Sequence, residues 1–271
     1  MVVRWIGRAP PLASPRLSSL LSLASLVSSA AASTASRAAL QLHVKAGPDG
    51  ASVGDCPFAH ALRICCAEKK LSVDVRPHSP VGKPQWLVDD HGGRMPALVS
   101  AAGEVVTESR VIAEWLEGHS PTPALLNVDG QQAAEEAAAP VFGAFARYCK
   151  SVGKTEEEER DLKKALLLSL CNLDAHLMGA AAPYVAGPAL SMTDAFLLPV
   201  LYHIRVAGSA FKDFEIPYQF DALNQYMDLL EEEPVASTNP PEAMVVWGWA
   251  NARGDAEAAA EAEAELKGKV K

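Results

Sequence analysis

The chain has 271 residues, 49% of them hydrophobic, and a formal net charge of −9, which allows one large or two ordinary domains with a sizeable core. The negative charge argues against nucleic acid as a partner, and five cysteines without a close-spaced framework argue against a secreted disulfide scaffold. Since no apolar run reaches the roughly 20 residues that a spanning helix needs, we expect no stable membrane insertion.

Residues 1–39 differ in composition from the rest of the chain. They contain four arginines, many serines and alanines, and no acidic residue, and the first acidic side chain is Asp49. This composition is typical of an organelle transit peptide, and we expect import into the chloroplast, with the mitochondrion as the alternative. The apolar run over residues 20–27 leaves a secretory signal open as a second interpretation.

Residues 40–118 show the pattern of an α/β domain. Alternating polarity predicts strands, and apolar spacing of three to four residues predicts helices. The predicted strands cover residues 40–45, 71–75, 97–99 and 104–106, and the predicted helices begin near residues 57, 83 and 109. Ser109 is a candidate N-cap for the third helix. The order β-α-β-α-β-β-α follows from this pattern.

The second half of the chain reads as helical. Residues 119–129 contain two prolines and form a predicted linker, and residues 130–250 form an all-helical domain. Helices are predicted over 131–152, 156–178 and 220–230, and another begins at Ser191, which has capping-box spacing to Asp194. The charged tail over 251–271 lacks an apolar face and is expected to be a loose helix or disordered.

Cys56 is the strongest candidate for chemistry. It directly precedes Pro57, which suits the first position of a helix, and the exposed N–H groups of a helix N-terminus favour a thiolate. We therefore expect a pKa below the usual value of about 8.5, with Lys45 lowering it and Asp55 opposing. Ala59 stands where a dithiol enzyme has its second cysteine, so an external thiol such as glutathione would have to resolve the sulfur. The alternative is a loop cysteine without chemistry.

A thioredoxin-like domain followed by an all-helical domain resembles the glutathione transferase superfamily, and the motifs are most similar to plant-type dehydroascorbate reductases over roughly residues 40–250. The matching stretches are residues 44–46, 54–58, 83–86, 96, 109–112, 201–203 and 248–249. The Cys-Pro-Phe motif alone is shared with omega-class transferases and with chloride-channel-like proteins. Lys45 and Asp55 near Cys56, and the Tyr-His and Gly-Trp matches at residues 202–203 and 248–249, narrow the resemblance to the dehydroascorbate reductases.

The resemblance implies roles for eight residues. Cys56 would be the nucleophile, and Lys45 and Asp55 would hold glutathione or the dehydroascorbate ring. Glutathione would also be bound by the cation of Lys83, the backbone of Met95 and the hydroxyl of Ser109, and the site would be closed from the helical domain by His203 and Trp249. The chain departs from the family at Ala59-His60, where Ser-Gln is usual, at Glu108, where Asp is commoner, and in its extension over residues 251–271.

The function implied is that of a monomeric enzyme that oxidises two molecules of glutathione and reduces dehydroascorbate to ascorbate, without a metal. An omega-like thiol transferase, a chloride-channel-like protein and a catalytically silent glutathione-binding protein are the alternatives. The other four cysteines are expected to be core residues on helices, and His60 is expected to be solvated.

Overall fold

A four-stranded mixed sheet forms the first part of the molecule. The computed structural model describes residues 40–126, 128–180 and 182–268, so the predicted transit peptide over residues 1–39 lies outside the described residues. The strands are β1 Leu40–Lys45, β2 Val73–His78, β3 Ala97–Val99 and β4 Val105–Thr107. Their order in the sheet is β2-β1-β3-β4, with β1 and β2 parallel and the other two pairs antiparallel.

Three helices accompany the sheet, α1 Pro57–Glu68, α2 Gln85–His91 and α3 Ser109–His119, so the predicted β-α-β-α-β-β-α order is confirmed. Strand β1 alternates between two environments. Leu42 and Val44 point into the hydrophobic core, whereas His43 meets the Trp86 ring of α2 edge-on at 5.2 Å between centroids. Lys45 therefore projects on the same side of the sheet as His43, at the end of β1 that precedes the Cys56 loop.

Two predicted boundaries in this part were wrong. Strand β2 runs to His78 because its backbone pairs with β1 as far as the Lys45–His78 register, and its Pro77 is tolerated because β2 lies at the edge of the sheet. Ser109 is the first residue of α3 and not its N-cap. Glu108 occupies the N-cap position, and no side chain among the described residues caps the helix there.

The rest of the described chain is helical. The helices are α4 Gln131–Cys149, α5 Glu156–Ala180, α6 Met192–Lys212, α7 Asp221–Met227, α8 Glu242–Arg253 and α9 Ala256–Gly268, with 3-10 turns at Asp228–Glu231 and Ala236–Thr238. Helix α6 is buried along most of its length and packs against α1, α4 and α8. The sheet and the helical part therefore share one hydrophobic core, although the division at residues 119–129 stays a prediction.

Helix α6 begins with the predicted capping box. The Ser191 side chain accepts a hydrogen bond from the Asp194 backbone, and the Asp194 carboxylate accepts one from the Ser191 N–H at 2.8 Å. The same buried carboxylate also accepts from the Val185 N–H and the Tyr226 hydroxyl, each at 2.8 Å. Asp194 thereby ties α6 to α7 and to the loop before α6.

The packing of the tail and the position of one cysteine differ from expectation. Residues 256–268 form helix α9, which packs against α8 and buries Ala262; alanines are small enough to form such a contact face without a conventional apolar stripe. Cys171 is exposed, although a core position was expected for it. No helix within the described ranges has the length and hydropathy to cross a bilayer.

Candidate active site

Cys56 occupies the N-cap position of α1, with Pro57 at the first helical position. No side chain in the described part of the chain caps this helix, so its first N–H groups are available to the sulfur. The backbone N–H groups of Ala59 and Phe58 lie at the sulfur and act to lower the pKa of the Cys56 thiol. This is the helix-terminus arrangement that the sequence predicted.

The expected direction of the Cys56 pKa was nevertheless wrong. Burial of the thiol raises its pKa above the ordinary value, and this effect exceeds the opposing hydrogen bonds from the Ala59 and Phe58 N–H groups. The Asp55 carboxylate raises the pKa further, and the Lys45 ammonium lowers it by less. Removing a thiolate from water costs more free energy than the helix N–H groups and the Lys45 ammonium offset. Burial therefore disfavours the Cys56 thiolate at neutral pH.

Lys45 and Asp55 form an ion pair beside Cys56. The Lys45 Nζ donates to Asp55 Oδ1 at 2.7 Å, and the two side chains are 39% and 13% exposed. Lys45 ends β1, and Asp55 directly precedes Cys56, so the strand and the loop bring both charges next to the sulfur. The ammonium is the more accessible partner and can reach an anionic group on a bound molecule.

His203 and Trp249 form a buried pair behind this loop. The Trp249 indole Nε1 donates to His203 Nδ1 at 2.9 Å, and because indole nitrogen is only a donor, the neutral imidazole carries its proton on Nε2. Burial lowers the pKa of His203 to about 4, although the Asp55 carboxylate and backbone oppose that shift. His203 is therefore neutral at physiological pH. Both rings are buried, and His203 lies close to the Asp55 carboxylate and backbone. That the two residues close the site stays a prediction.

His60, expected to be solvated, is buried, and sequence reasoning missed the reason. Its Nε2 lies 3.0 Å from the Thr238 hydroxyl, which itself donates to the Val235 carbonyl at 2.7 Å, so the imidazole is the donor to Thr238. Burial lowers the pKa of His60 well below its ordinary value. The partner lies far along the chain, so local sequence gave no signal of this contact.

The residues predicted to bind glutathione form a second group around the sheet. The Lys83 Nζ donates to the Gly93 carbonyl at 2.8 Å, and the loop from Gly93 continues into Met95, whose peptide bond to Pro96 is cis. Arg94 in the same loop pairs with Glu108 at 2.9 Å, and Ser109 follows. Contacts therefore connect Lys83, the Met95 loop and the start of α3.

Glu108 adopts a φ of +69°, a backbone conformation uncommon for a residue with a side chain. Such conformations concentrate at functional sites, where the surrounding structure holds them. Here the unusual φ lies at the turn from β4 into α3 and fixes the orientation in which Ser109 begins the helix.

A mostly apolar cavity of about 440 Å³ lies between the Cys56 helix and the start of α3, and of the eight candidate residues Ser109 alone lines it. Phe58 from the Cys56 helix and Ser109 both line it, together with Phe142 of α4 and Phe196 of α6. The rings of Phe58 and Phe142 meet edge-on at 5.3 Å between centroids. A larger cavity of about 770 Å³ between α5 and α7 contains none of the candidate residues, so its size does not make it the better site.

Two residues of α8 reach the Lys45–Asp55 pair. The Trp247 ring lies 4.9 Å from the Lys45 Nζ, measured to its centroid, and was not among the predicted residues. Gly248 was noted only as part of a matching motif. A Cβ at Gly248 would lie 2.0 Å from Asp55 Oδ2, so the carboxylate rests directly on the α8 backbone. Within the described residues no group of three or more histidine, cysteine or acidic side chains could hold a metal ion.

Comparison with known proteins gives consistent matches. Residues 55–119 match the glutathione S-transferase N-terminal domain. The chain is 32% identical to glutathione S-transferase DHAR2 of Arabidopsis thaliana, over 78% of this chain and 97% of that protein. It is 29% identical to the probable cytosolic glutathione S-transferase DHAR1 of Oryza sativa subsp. japonica, over 73% and 91% of the two chains.

Solved structures show the same fold. The crystal structure of Chlamydomonas reinhardtii dehydroascorbate reductase superposes with a TM-score of 0.70 at 29% identity, over 80% of this chain and 99% of that one. The CLIC homologue EXC-4 from C. elegans superposes with a TM-score of 0.68, over 81% and 88% of the two chains, but at 21% identity it shows the fold alone. Together with the Cys56 helix start, these matches establish that the chain belongs to the dehydroascorbate reductase family of the glutathione S-transferase superfamily.

Proposed function

We propose that this protein reduces dehydroascorbate to ascorbate with glutathione as the reductant, through Cys56 as its single catalytic cysteine. The observation that carries the proposal is the position of Cys56, which stands at an uncapped helix start beside the Lys45–Asp55 ion pair. Of the other four cysteines, three are buried, and burial raises the pKa of Cys66 to about 12 and that of Cys149 to about 11. The fourth, Cys171, is exposed and lies on α5.

The proposed reaction has three steps. The Cys56 thiol and one water reduce dehydroascorbate to ascorbate by two electrons, and the sulfur becomes a sulfenic acid. A first glutathione thiol condenses with the sulfenic acid, releasing water and forming a mixed disulfide at Cys56. A second glutathione thiolate attacks the glutathione sulfur of that disulfide, which releases glutathione disulfide and returns the Cys56 thiol.

The resting state of the sulfur determines what its neighbours must do. Because burial disfavours the Cys56 thiolate, the thiol proton has to leave as the sulfur attacks. The N–H groups of Phe58 and Ala59 stabilise the charge that then develops on sulfur. The Lys45 ammonium, 39% exposed, stabilises the negative charge that develops on the ascorbate oxygens. Lys83, the Met95 backbone and Ser109 hold glutathione, and His203 and Trp249 keep the Asp55 loop in place.

An omega-like thiol transferase is the second candidate. The apolar cavity of about 440 Å³ beside Ser109 favours it, because a small polar ring such as dehydroascorbate does not need this apolar surface. A disulfide between glutathione and a larger molecule could occupy it.

The decisive experiment compares two substrates on purified residues 40–271. Ascorbate formation from dehydroascorbate and glutathione is followed by absorbance, and reduction of a glutathione mixed disulfide is followed with a coupled assay. We expect ascorbate formation well above the uncatalysed rate and a glutathione adduct on Cys56 by mass spectrometry. A rate equal to the uncatalysed mixture, with active disulfide reduction, would assign the thiol transferase instead. Sedimentation of the same sample tests whether the enzyme is a monomer.

The proposed location is the chloroplast, with the mitochondrion as the alternative. The composition of residues 1–39 supports it, as does a relative from Oryza sativa subsp. japonica described as a probable chloroplastic glutathione S-transferase DHAR2, which is 26% identical over 73% of this chain. A fluorescent protein fused behind residues 1–39 should enter plastids. Retention in the cytosol, or entry into the secretory path, contradicts this location.

A further inference from the structure

Helix α8 supplies three consecutive residues to the site, and each meets a different partner. Trp247 covers the Lys45 ammonium at 4.9 Å from its ring centroid, Gly248 lies against the Asp55 carboxylate, and the Trp249 indole donates to His203. Trp247 lies outside the family motifs from which the roles of the other site residues were inferred. Its ring is also the part of α8 that contacts the Lys45 ammonium.

Lys45 needs a second contact to hold its position. Its side chain is 39% exposed, and its hydrogen bond to Asp55 is an ion pair of a kind that water and salt weaken. The lysine side chain has a flexible four-carbon stem, so a single hydrogen bond leaves many positions open to its ammonium group. The half-buried indole of Trp247 offers its negative face to the cation, and this restricts the ammonium from a second direction.

Asp55 is fixed from the same helix. Its carboxylate rests on the α8 backbone so closely that any side chain at position 248 would overlap it. Helix α8 therefore restricts both members of the ion pair. Its backbone holds the Asp55 carboxylate, and its Trp247 indole holds the Lys45 ammonium. A shift of α8 would displace both charges together.

We propose that Trp247 is a positioning residue that holds the Lys45 ammonium where negative charge develops on the departing ascorbate. The catalytic part of this inference rests on the proposed function. Trp247 does not touch the reacting atoms in this role. It acts through Lys45, so its effect depends on the presence of that lysine.

The test uses two substitutions that differ in one property. Trp247→Phe keeps an aromatic face, whereas Trp247→Leu keeps apolar volume without one. We expect kcat/KM for dehydroascorbate to fall about two- to ten-fold in Trp247→Leu and to recover most of that loss in Trp247→Phe, while the KM for glutathione stays unchanged in both. Trp115→Leu is the matched control. It removes another half-buried indole, on α3, which donates a hydrogen bond to Glu104. The kinetics of this variant should equal those of the unsubstituted protein.

A second arm asks whether the effect passes through Lys45. In a Lys45→Met background, Trp247→Leu should cause no further loss of kcat/KM. Equal losses in both backgrounds, or identical kinetics for the Phe and Leu variants, would overturn the proposal and leave Trp247 as a packing residue.

A third arm needs no turnover and separates this inference from the proposed function. A double-mutant cycle on the unfolding equilibrium with the same two substitutions should show coupling of about two- to five-fold in the equilibrium constant. Coupling without any ascorbate formation would refute the proposed function while the Trp247–Lys45 contact stands. Ascorbate formation without coupling would refute the positioning role alone.

Discussion

The starts of α1 and α6 show two opposite uses of a helix N-terminus. At α6 the Ser191 and Asp194 side chains satisfy the first backbone donors, and both residues are fully buried. At α1 the N-cap is Cys56, without a capping side chain among the residues described, and the N–H groups of Phe58 and Ala59 turn to its sulfur. A helix start whose donors are satisfied contributes stability, whereas one left open offers those donors to a reacting atom.

The largest expected effect comes from replacing the sulfur at the start of α1, whose backbone donors are left open. Cys56→Ser should reduce ascorbate formation to the uncatalysed rate, because a serine hydroxyl stays protonated and cannot be oxidised as the sulfur is. Serine is also a better N-cap than cysteine, so the free energy of unfolding should not fall. Steady-state assays and urea unfolding measure the two quantities.

The matched control for that variant keeps Cys56 and replaces the exposed Cys171 with serine. Its turnover should match that of the unsubstituted protein. Turnover surviving in Cys56→Ser, or lost in Cys171→Ser, would assign the chemistry to a different sulfur.

The capped start of α6 should contribute to the free energy of unfolding. Asp194→Ala removes a buried carboxylate that accepts hydrogen bonds from the Ser191 N–H, the Val185 N–H and the Tyr226 hydroxyl. Leaving these donors buried and unpaired should lower the free energy of unfolding by about 3 kcal/mol. Asp194→Asn retains one carbonyl acceptor and should lose less. Equal stability of all three proteins in urea unfolding would show that the network contributes nothing.

The open start should also show a characteristic pH dependence. Because burial raises the pKa of Cys56, the thiolate fraction at neutral pH is smaller than that of a free thiol. The iodoacetamide alkylation rate should therefore rise about tenfold per pH unit through neutrality and level off only above the usual thiol pKa of about 8.5. The measurement uses a protein in which Cys56 is the only cysteine. A midpoint below 8.5 would mean that the helix terminus outweighs burial, as the sequence first suggested.

The smallest expected effect is the loss of the Ser191 hydroxyl alone. Ser191→Ala should lower the free energy of unfolding by about 1 kcal/mol, the usual cost of an N-cap, and leave kcat per folded molecule unchanged. The Asp194 carboxylate keeps its other donors, so the loss should be well below that of Asp194→Ala. A change in kcat would mean that the two helix starts are coupled through the packing of α6 against α1.

Both helix starts could be predicted from sequence because their signals are local. Ser191 and Asp194 lie three residues apart, and Cys56 is followed directly by Pro57. The Cys56 pKa could not be predicted, because it depends on how deeply the thiol is buried once distant helices pack around it. Trp247 and His60 were missed for the same reason, since their partners Lys45 and Thr238 are remote in sequence.

The tail was misjudged for a different reason. An alanine-rich segment has too little apolar contrast for a periodicity argument to identify a contact face, yet Ala262 is buried where α9 packs against α8. The proposed roles of Lys83, Met95 and Ser109 stay predictions, although Lys83 contacts the loop that leads to Met95.

The contact between Gly248 and Asp55 also bears on when the protein becomes active during its synthesis. A ribosome releases residues in order from the amino end, and N-terminal domains generally fold first. The sheet and α1 are complete once residue 119 has emerged, but the contacts of Lys45 with Trp247 and of Asp55 with Gly248 form only when α8 follows much later. We therefore expect nascent chains that stop at residue 240 to fold around Cys56 without catalysing turnover, and activity to begin only as the final helices reach the site.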